Sequence, residues 1–129
     1  MRKDKYRAWE KNLKEIIPVF DIDFKNRMIN TKSAWRTFDE VVLMQSTGRN
    51  DKKGIEIYEY DIVKVKYFQS EYIGRVVFNE ITCGFEIWYS TVEGAYGEKA
   101  THKISFASDI DIEVIGNMYN IPECLKRYF

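Results

Sequence analysis

Cysteine, proline and histidine are scarce in this chain, and neither sign of charge prevails. Cys83 and Cys124 are the only cysteines among 129 residues, and they form no CxxC pair. They read as reduced, semi-buried hydrophobes of a cytoplasmic protein. His102 is the single histidine, set in Ala100-Thr101-His102-Lys103, with no nucleophile signature around any serine or cysteine. A nucleophilic triad or a zinc site would have to be assembled from scattered positions. Pro18 and Pro122 lie far apart, and no proline-, glycine- or serine-rich linker divides the chain. No apolar run approaches the roughly 20 residues of a spanning helix, and the polar start MRKDKYR does not resemble a signal peptide. Lysine and arginine total 20, as do aspartate and glutamate. Such a balance exerts no global pull on nucleic acid or anionic membrane, and it places the protein near its solubility minimum at neutral pH.

What the chain does contain is apolar and aromatic material. Hydrophobic residues make up 45% and aromatics 16%, which indicates a packed globule. Surface scaling predicts about 7,000 Å² accessible when folded against about 22,000 Å² extended, enough burial for a core without staples.

Tyr6-Arg7-Ala8-Trp9 reads as a short strand turned by Glu10-Lys11-Asn12. Val19, Asp21 and Asp23 alternate with Phe20, Ile22 and Phe24, a period-2 pattern suited to a half-buried strand, with Pro18 at its edge. Between Ser33 and Leu43, Ser33 could cap one or two helical turns bearing Trp35 and Phe38, followed by a short strand. Asp51-Lys52-Lys53-Gly54 has the composition of a type I turn. Ile62 to Tyr67 then alternates, with Val63, Val65 and Tyr67 opposite Lys64 and Lys66. Gln69 to Gly74 reads as a turn, Arg75 to Phe78 as the next strand, and Phe85 to Tyr89 as the third, with Phe85, Ile87 and Tyr89 on one face. Glu93 to Lys99 reads as a loop tip. Ile104 to Ala107 and Ile112 to Ile115 are further short strands around Ser108-Asp109, and Pro122 to Lys126 a closing helical turn. The expectation is a mainly β protein. A small SH3-like antiparallel barrel would span roughly Glu56 to Ile115 within a region 44–129, and residues 1–43 would be a β-rich N-terminal addition with few helical turns.

Three segments carry a family resemblance. Arg7-Ala8-Trp9 comes first. Met44-Gln45-x-Thr47-Gly48-x-x-Asp51-x-x-Gly54-x-Glu56-Ile57-Tyr58-Glu59-x-Asp61-Ile62-Val63 follows. Glu113-Val114-Ile115-Gly116-Asn117-x-Tyr119-x-x-Pro122-Glu123 is the last. In this order they resemble the YopX-like proteins of phages and prophages of Gram-positive bacteria. The resemblance implies an SH3-like, mainly β fold and a location inside a bacterial cell, and it implies no activity. Tyr60 stands where the family usually has glycine, Ser46 where it has an aromatic residue, and Cys124 where it has leucine. A side chain at position 60 argues against left-handed backbone there.

Several groups could carry chemistry. Glu56, Glu59 and Asp61 are the densest carboxylates, and hard cations take several oxygen ligands. In one extended segment, however, Glu59 and Asp61 would share a face with Glu56 opposite. Solvated turn residues, with Asp61 binding backbone N–H groups, are the plainer reading. The pairs Asp21/Asp23 and Asp109/Asp111 read as solvent-facing strand residues. Lys64, Lys66 and Arg75, with Tyr60, Tyr72 and Trp88 as exposed aromatics, could form a cationic stacking face for nucleic acid. Glu71, Glu80 and Glu86 interrupt that patch.

The leading expectation is a non-enzymatic phage or prophage accessory protein that binds another protein, with no cofactor, metal or membrane. Tyr58, Tyr60, Tyr67, Tyr72 and Trp88 would be its aromatic contacts. Nucleic-acid binding through Lys64, Lys66 and Arg75 is the alternative. Short strands and low net charge also invite self-association through a strand edge.

Overall fold

The computed structural model describes residues 5–32, 34–93, 98–106 and 110–129. Their strands are, in chain order, β1 (Tyr6–Glu10), β2 (Glu15–Pro18), β3 (Asp21–Asp23), β4 (Met28–Thr31), β5 (Ala34–Thr37) and β6 (Val41–Asn50). There follow β7 (Glu56–Tyr58), β8 (Asp61–Tyr67), β9 (Ser70–Asn79), β10 (Gly84–Glu93), β11 (Glu98–Ser105) and β12 (Asp111–Asn117). They make three antiparallel sheets: β2-β1-β6-β7, the meander β3-β4-β5, and β11-β10-β9-β8-β12. The accessible surface is 8644 Å², about a fifth more than size alone predicts. Three small sheets expose more surface than one ball of the same mass.

Alternation decides how the five-stranded sheet packs. Val63, Val65, Val76, Ile87, Ile104 and Ile112 all point to one side and, with Ile57 and Ile110, form one buried cluster. The sheet wraps around this core as a half-barrel, its pairing open at β11 and β12. A second, smaller core of Ala8, Ile17, Ile29 and Val41 joins the first sheet to the meander. Pro18 closes β2 at the sheet edge, where its missing N–H is tolerated.

Several local expectations change. Residues 34 to 43 hold β5, a single 3-10 turn at Phe38–Glu40 and the start of β6, rather than a longer helical stretch. Thr37 and Glu40 form the capping box of that turn; Ser33, read as a cap, lies outside the described residues. The turn expected over Gln69 to Gly74 is only Phe68-Gln69, because β9 pairs with β8 from Ser70 onward. The boundary drawn between residues 43 and 44 falls inside β6, which pairs with β1 on one side and β7 on the other. Cys83 and Cys124 are both free thiols, and both are exposed rather than semi-buried. Cys83 sits in a turn at φ 54°, where no strand face can cover it. Gly94, Gly97, Ser108 and Asp109 lie outside the described residues. The closing helical turn is a 3-10 segment, Glu123–Tyr128.

One glycine is fixed by close approach. A Cβ on Gly74 would sit 2.6 Å from the Trp88 carbonyl oxygen and 2.8 Å from Ile87 Cγ2. Neither backbone nor a packed core side chain yields cheaply, so Gly74 lets β9 press onto β10 where the sheet curls. Gly74→Ala is expected to cost about 1–3 kcal/mol through overpacking, read as a lower urea midpoint with an unchanged slope.

Candidate functional site

The carboxylates that drew notice in the sequence are organisers of turns. Asp61 opens β8 with its side chain 1% exposed, and its Oδ1 lies 2.5 Å from Arg7 Nη2 of β1. Its Oδ2 accepts the Tyr58 N–H at 2.8 Å. The Arg7 guanidinium lies 4.5 Å from the centre of the Tyr58 ring, and its Nε donates to Met44 Sδ at 3.2 Å. Burial pushes the Asp61 carboxyl above its ordinary range, against the pull of Arg7 and the Tyr58 N–H.

Asp51 does similar work at its own turn. Oδ1 accepts the N–H groups of Lys53 at 2.8 Å and Ile55 at 2.9 Å, while Oδ2 accepts that of Val114 on β12 at 3.0 Å. Burial raises the cost of its charge, but the three donors outweigh it and hold the carboxyl below its ordinary range. The turn has the expected closure, with Gly54 N–H donating to the Asp51 carbonyl at 3.0 Å. Glu10, also buried, accepts the Leu13 N–H at 2.5 Å and caps the turn after β1.

Glu56, Glu59 and Asp61 do not form one extended strip. A turn at Glu59-Tyr60 separates β7 from β8 and sends the three carboxylates to different partners. Glu56 pairs with Lys5 at 3.2 Å, and Glu59 accepts the Gln45 N–H at 3.3 Å. Among the described residues, no three histidine, cysteine or acidic side chains are grouped to hold a metal ion.

Tyr60 corrects an expectation. It has φ 69° in the left-handed region, despite its side chain. Two backbone bonds hold it there: its N–H to the Val76 carbonyl and its own carbonyl to the Met118 N–H, both 2.8 Å. The ring packs edge-on to Tyr119 at 5.6 Å, and Tyr119 stacks on Trp9 at 6.2 Å.

The eight candidate binding residues separate into three places. Tyr58 and Tyr60 stand at the junction of the first sheet with β8. Tyr67 and Tyr72 belong to the concave side, where Tyr72 stacks on Tyr89 at 4.3 Å and Tyr89 on His102 at 5.2 Å. His102 Nε2 lies 2.8 Å from the Thr91 hydroxyl. Lys64, Lys66, Arg75 and Trp88 lie on the convex side. The five aromatics therefore line no single groove, and Tyr60, Tyr72 and Trp88 are half-buried rather than exposed. The convex face is locally neutral around the lysines: Lys64 pairs with Glu71 at 3.4 Å, and Lys66 stands opposite Glu71 and Asp111.

The larger concavity is elsewhere. A groove of about 490 Å³ is lined by Lys5, Tyr6 and Arg7 of the first strand region, by Pro18, Val19, Phe20, Asp21 and Ile22, and by Tyr58. Phe20 is 60% exposed there. Leu13, Ile16, Phe24 and Trp35 are further exposed apolar side chains of the same N-terminal region. Sequence reading passed over this groove. The alternation of Phe20, Ile22 and Phe24 against two aspartates was a usable signal, since a strand of three residues cannot bury that whole apolar face.

The sequence matches the YopX protein family over residues 5–126. The chain belongs to that family. A similar solved structure is that of protein EF1440 from Enterococcus faecalis, with a TM-score of 0.61 and 22% identity. The match covers 98% of this chain and 100% of that one, and at this identity it shows the fold alone. No curated protein matches. No helix among the described residues is long and apolar enough to cross a membrane.

Two measurements check these assignments. Asp51, with its lowered pKa, stabilises the fold fully above the ordinary aspartate value of 3.8, and that contribution is lost as pH falls through the lower folded value. Asp61 and Glu59, raised by burial, work in the opposite direction. Asp51→Asn should therefore lower stability at pH 6 and narrow the gap to wild type below about pH 4; a gap constant with pH would contradict the assignment. At position 60, glycine and alanine both delete the ring and differ in tolerance of left-handed backbone. Tyr60→Ala should be less stable than Tyr60→Gly by about 1 kcal/mol in chemical denaturation.

Proposed function

We propose that this family member is a non-enzymatic binding module of phage or prophage origin, acting in the bacterial cytoplasm, with a protein segment as its partner. The half-barrel, ordered β12-β8-β9-β10-β11 around one core, is read as a small SH3-like barrel. The observation that carries the reading is the groove beside β1, open and bordered by the 60%-exposed Phe20. An exposed aromatic against a ready concavity is costly to leave in water and favourable to cover. The N-terminal sheets, more than the barrel tyrosines, are the docking surface in this reading. Pro18, Val19, Ile22 and Tyr58 would receive an apolar anchor.

The buried carboxylates support a non-catalytic role in a specific way. Oxygens of Glu10, Asp51 and Asp61 already accept backbone N–H groups. A carboxylate so engaged is poorly placed to take a substrate proton.

Tagged protein recovered from infected or lysogenic cells should bring down a protein partner that survives nuclease treatment. Phe20→Ser should abolish that recovery without lowering the melting temperature, because the ring is largely in solvent. Recovery undiminished in Phe20→Ser would refute the groove, and recovery lost to nuclease would refute a protein partner and favour the convex face of Lys64, Lys66 and Arg75 as a nucleic-acid surface.

A further inference from the structure

We propose that the convex face of the half-barrel carries an anion seat at Arg75 that takes a phosphate group. It is independent of the groove beside β1. The register aligns Arg75, Trp88 and Lys103 in one row across β9, β10 and β11. The Arg75 guanidinium lies 5.8 Å from the Trp88 ring centre, and the Lys103 ammonium 4.7 Å. The indole is fixed between them, since its N–H donates to Glu86 Oε1 at 2.9 Å. That same oxygen accepts from Asn79 of β9 at 3.0 Å, and the Glu86 charge is felt at Lys103, which leaves Arg75 as the cation for an incoming anion. Arg75 makes no ion pair among the described residues, unlike Lys64 on the same face.

The next row along this face pairs Ser90 with Thr101, both exposed. Between the rows lies a cavity of about 100 Å³, lined by Arg75, Trp88, Ser90 and Thr101 and walled by Tyr128 of the closing 3-10 segment and by Phe129 after it. One water needs about 10–15 Å³ of such space, so the cavity has room for several waters or one tetrahedral oxyanion. A guanidinium offers a planar fork of N–H donors, and each hydroxyl adds a rotatable O–H. Donors contributed by strands β9, β10 and β11 to one cavity suit phosphate, which accepts in several directions, better than planar carboxylate. The phosphate could arrive free or as the terminal group of a nucleotide.

The test follows the indole N–H resonances of the full chain by NMR at constant ionic strength. Inorganic phosphate should shift the Trp88 signal saturably and leave Trp9 and Trp35 in place as internal monitors of the fold. Arg75→Gln should weaken binding at least tenfold. Thr101→Val should weaken it severalfold while keeping the guanidinium, which covers the case in which Arg75→Gln misfolds. Equal affinity for phosphate and adenosine monophosphate would support a seat for the phosphate alone, and tighter binding of the nucleotide a seat with an added ring contact. A shift that does not saturate, one reproduced by acetate or chloride, one unchanged in both variants, or binding of adenosine without phosphate would overturn the proposal.

Discussion

The ion pair between Arg7 and Asp61 holds the architecture together. It is the one strongly buried charge pair among the described residues, and it joins the first strand of the chain to the first strand of the half-barrel. Removing one member of such a pair typically costs about 3–5 kcal/mol, because the other charge stays buried without compensation. Its worth lies less in net attraction than in position. Arg7 also covers the Tyr58 ring, and Asp61 also fixes the Tyr58 N–H. One contact thereby sets the angle at which β7 turns into β8. Asp51 repeats the logic from the other side by reaching Val114 on β12. The two sheets are pinned at these carboxylates and share Ile57 of β7, which is buried in the half-barrel core.

The central strands of the half-barrel and their inward faces were legible from sequence, but its open arrangement was not, and β11 begins at Glu98 where the sequence suggested a loop tip. The central strands alternate cleanly, so Val63, Val65, Ile87 and their partners could be assigned to one face from spacing alone. The turn at Asp51 to Gly54 was legible for the same reason, since its chemistry is local. The first sheet was harder to see. Arg7 and Met44 stand opposite each other although 37 positions apart, and no local pattern encodes that pairing. Tyr60 departs from its intrinsic preference because two backbone bonds, to residues 16 and 58 positions away, override it and leave no mark in the local sequence.

The candidate site was legible only in fragments. Tyr58 proved to border the groove, and Arg75 and Trp88 the convex cavity, but no pattern in the sequence could show that the aromatics divide among three surfaces. Reading them as one set assumed that neighbours in sequence remain neighbours on a curled sheet. Phe20 escaped notice because half-buried strands commonly carry such residues. Only the shortness of β3 leaves it uncovered.

The central position of β6 also bears on how the chain comes to fold. The hairpin of β1 with β2 and the meander of β3 to β5 are local pieces, and small isolated β units of this kind are marginal in water. Neither can be consolidated until β6 has been synthesised and added to β1. Arg7 waits longer still, for Asp61. The order of the N-terminal third therefore depends on partners that follow it in the chain. Closing such long loops is the slow part of building β proteins. The segment carrying the exposed Phe20 and its groove is thus the part of the molecule that becomes a defined surface only after the start of the barrel exists.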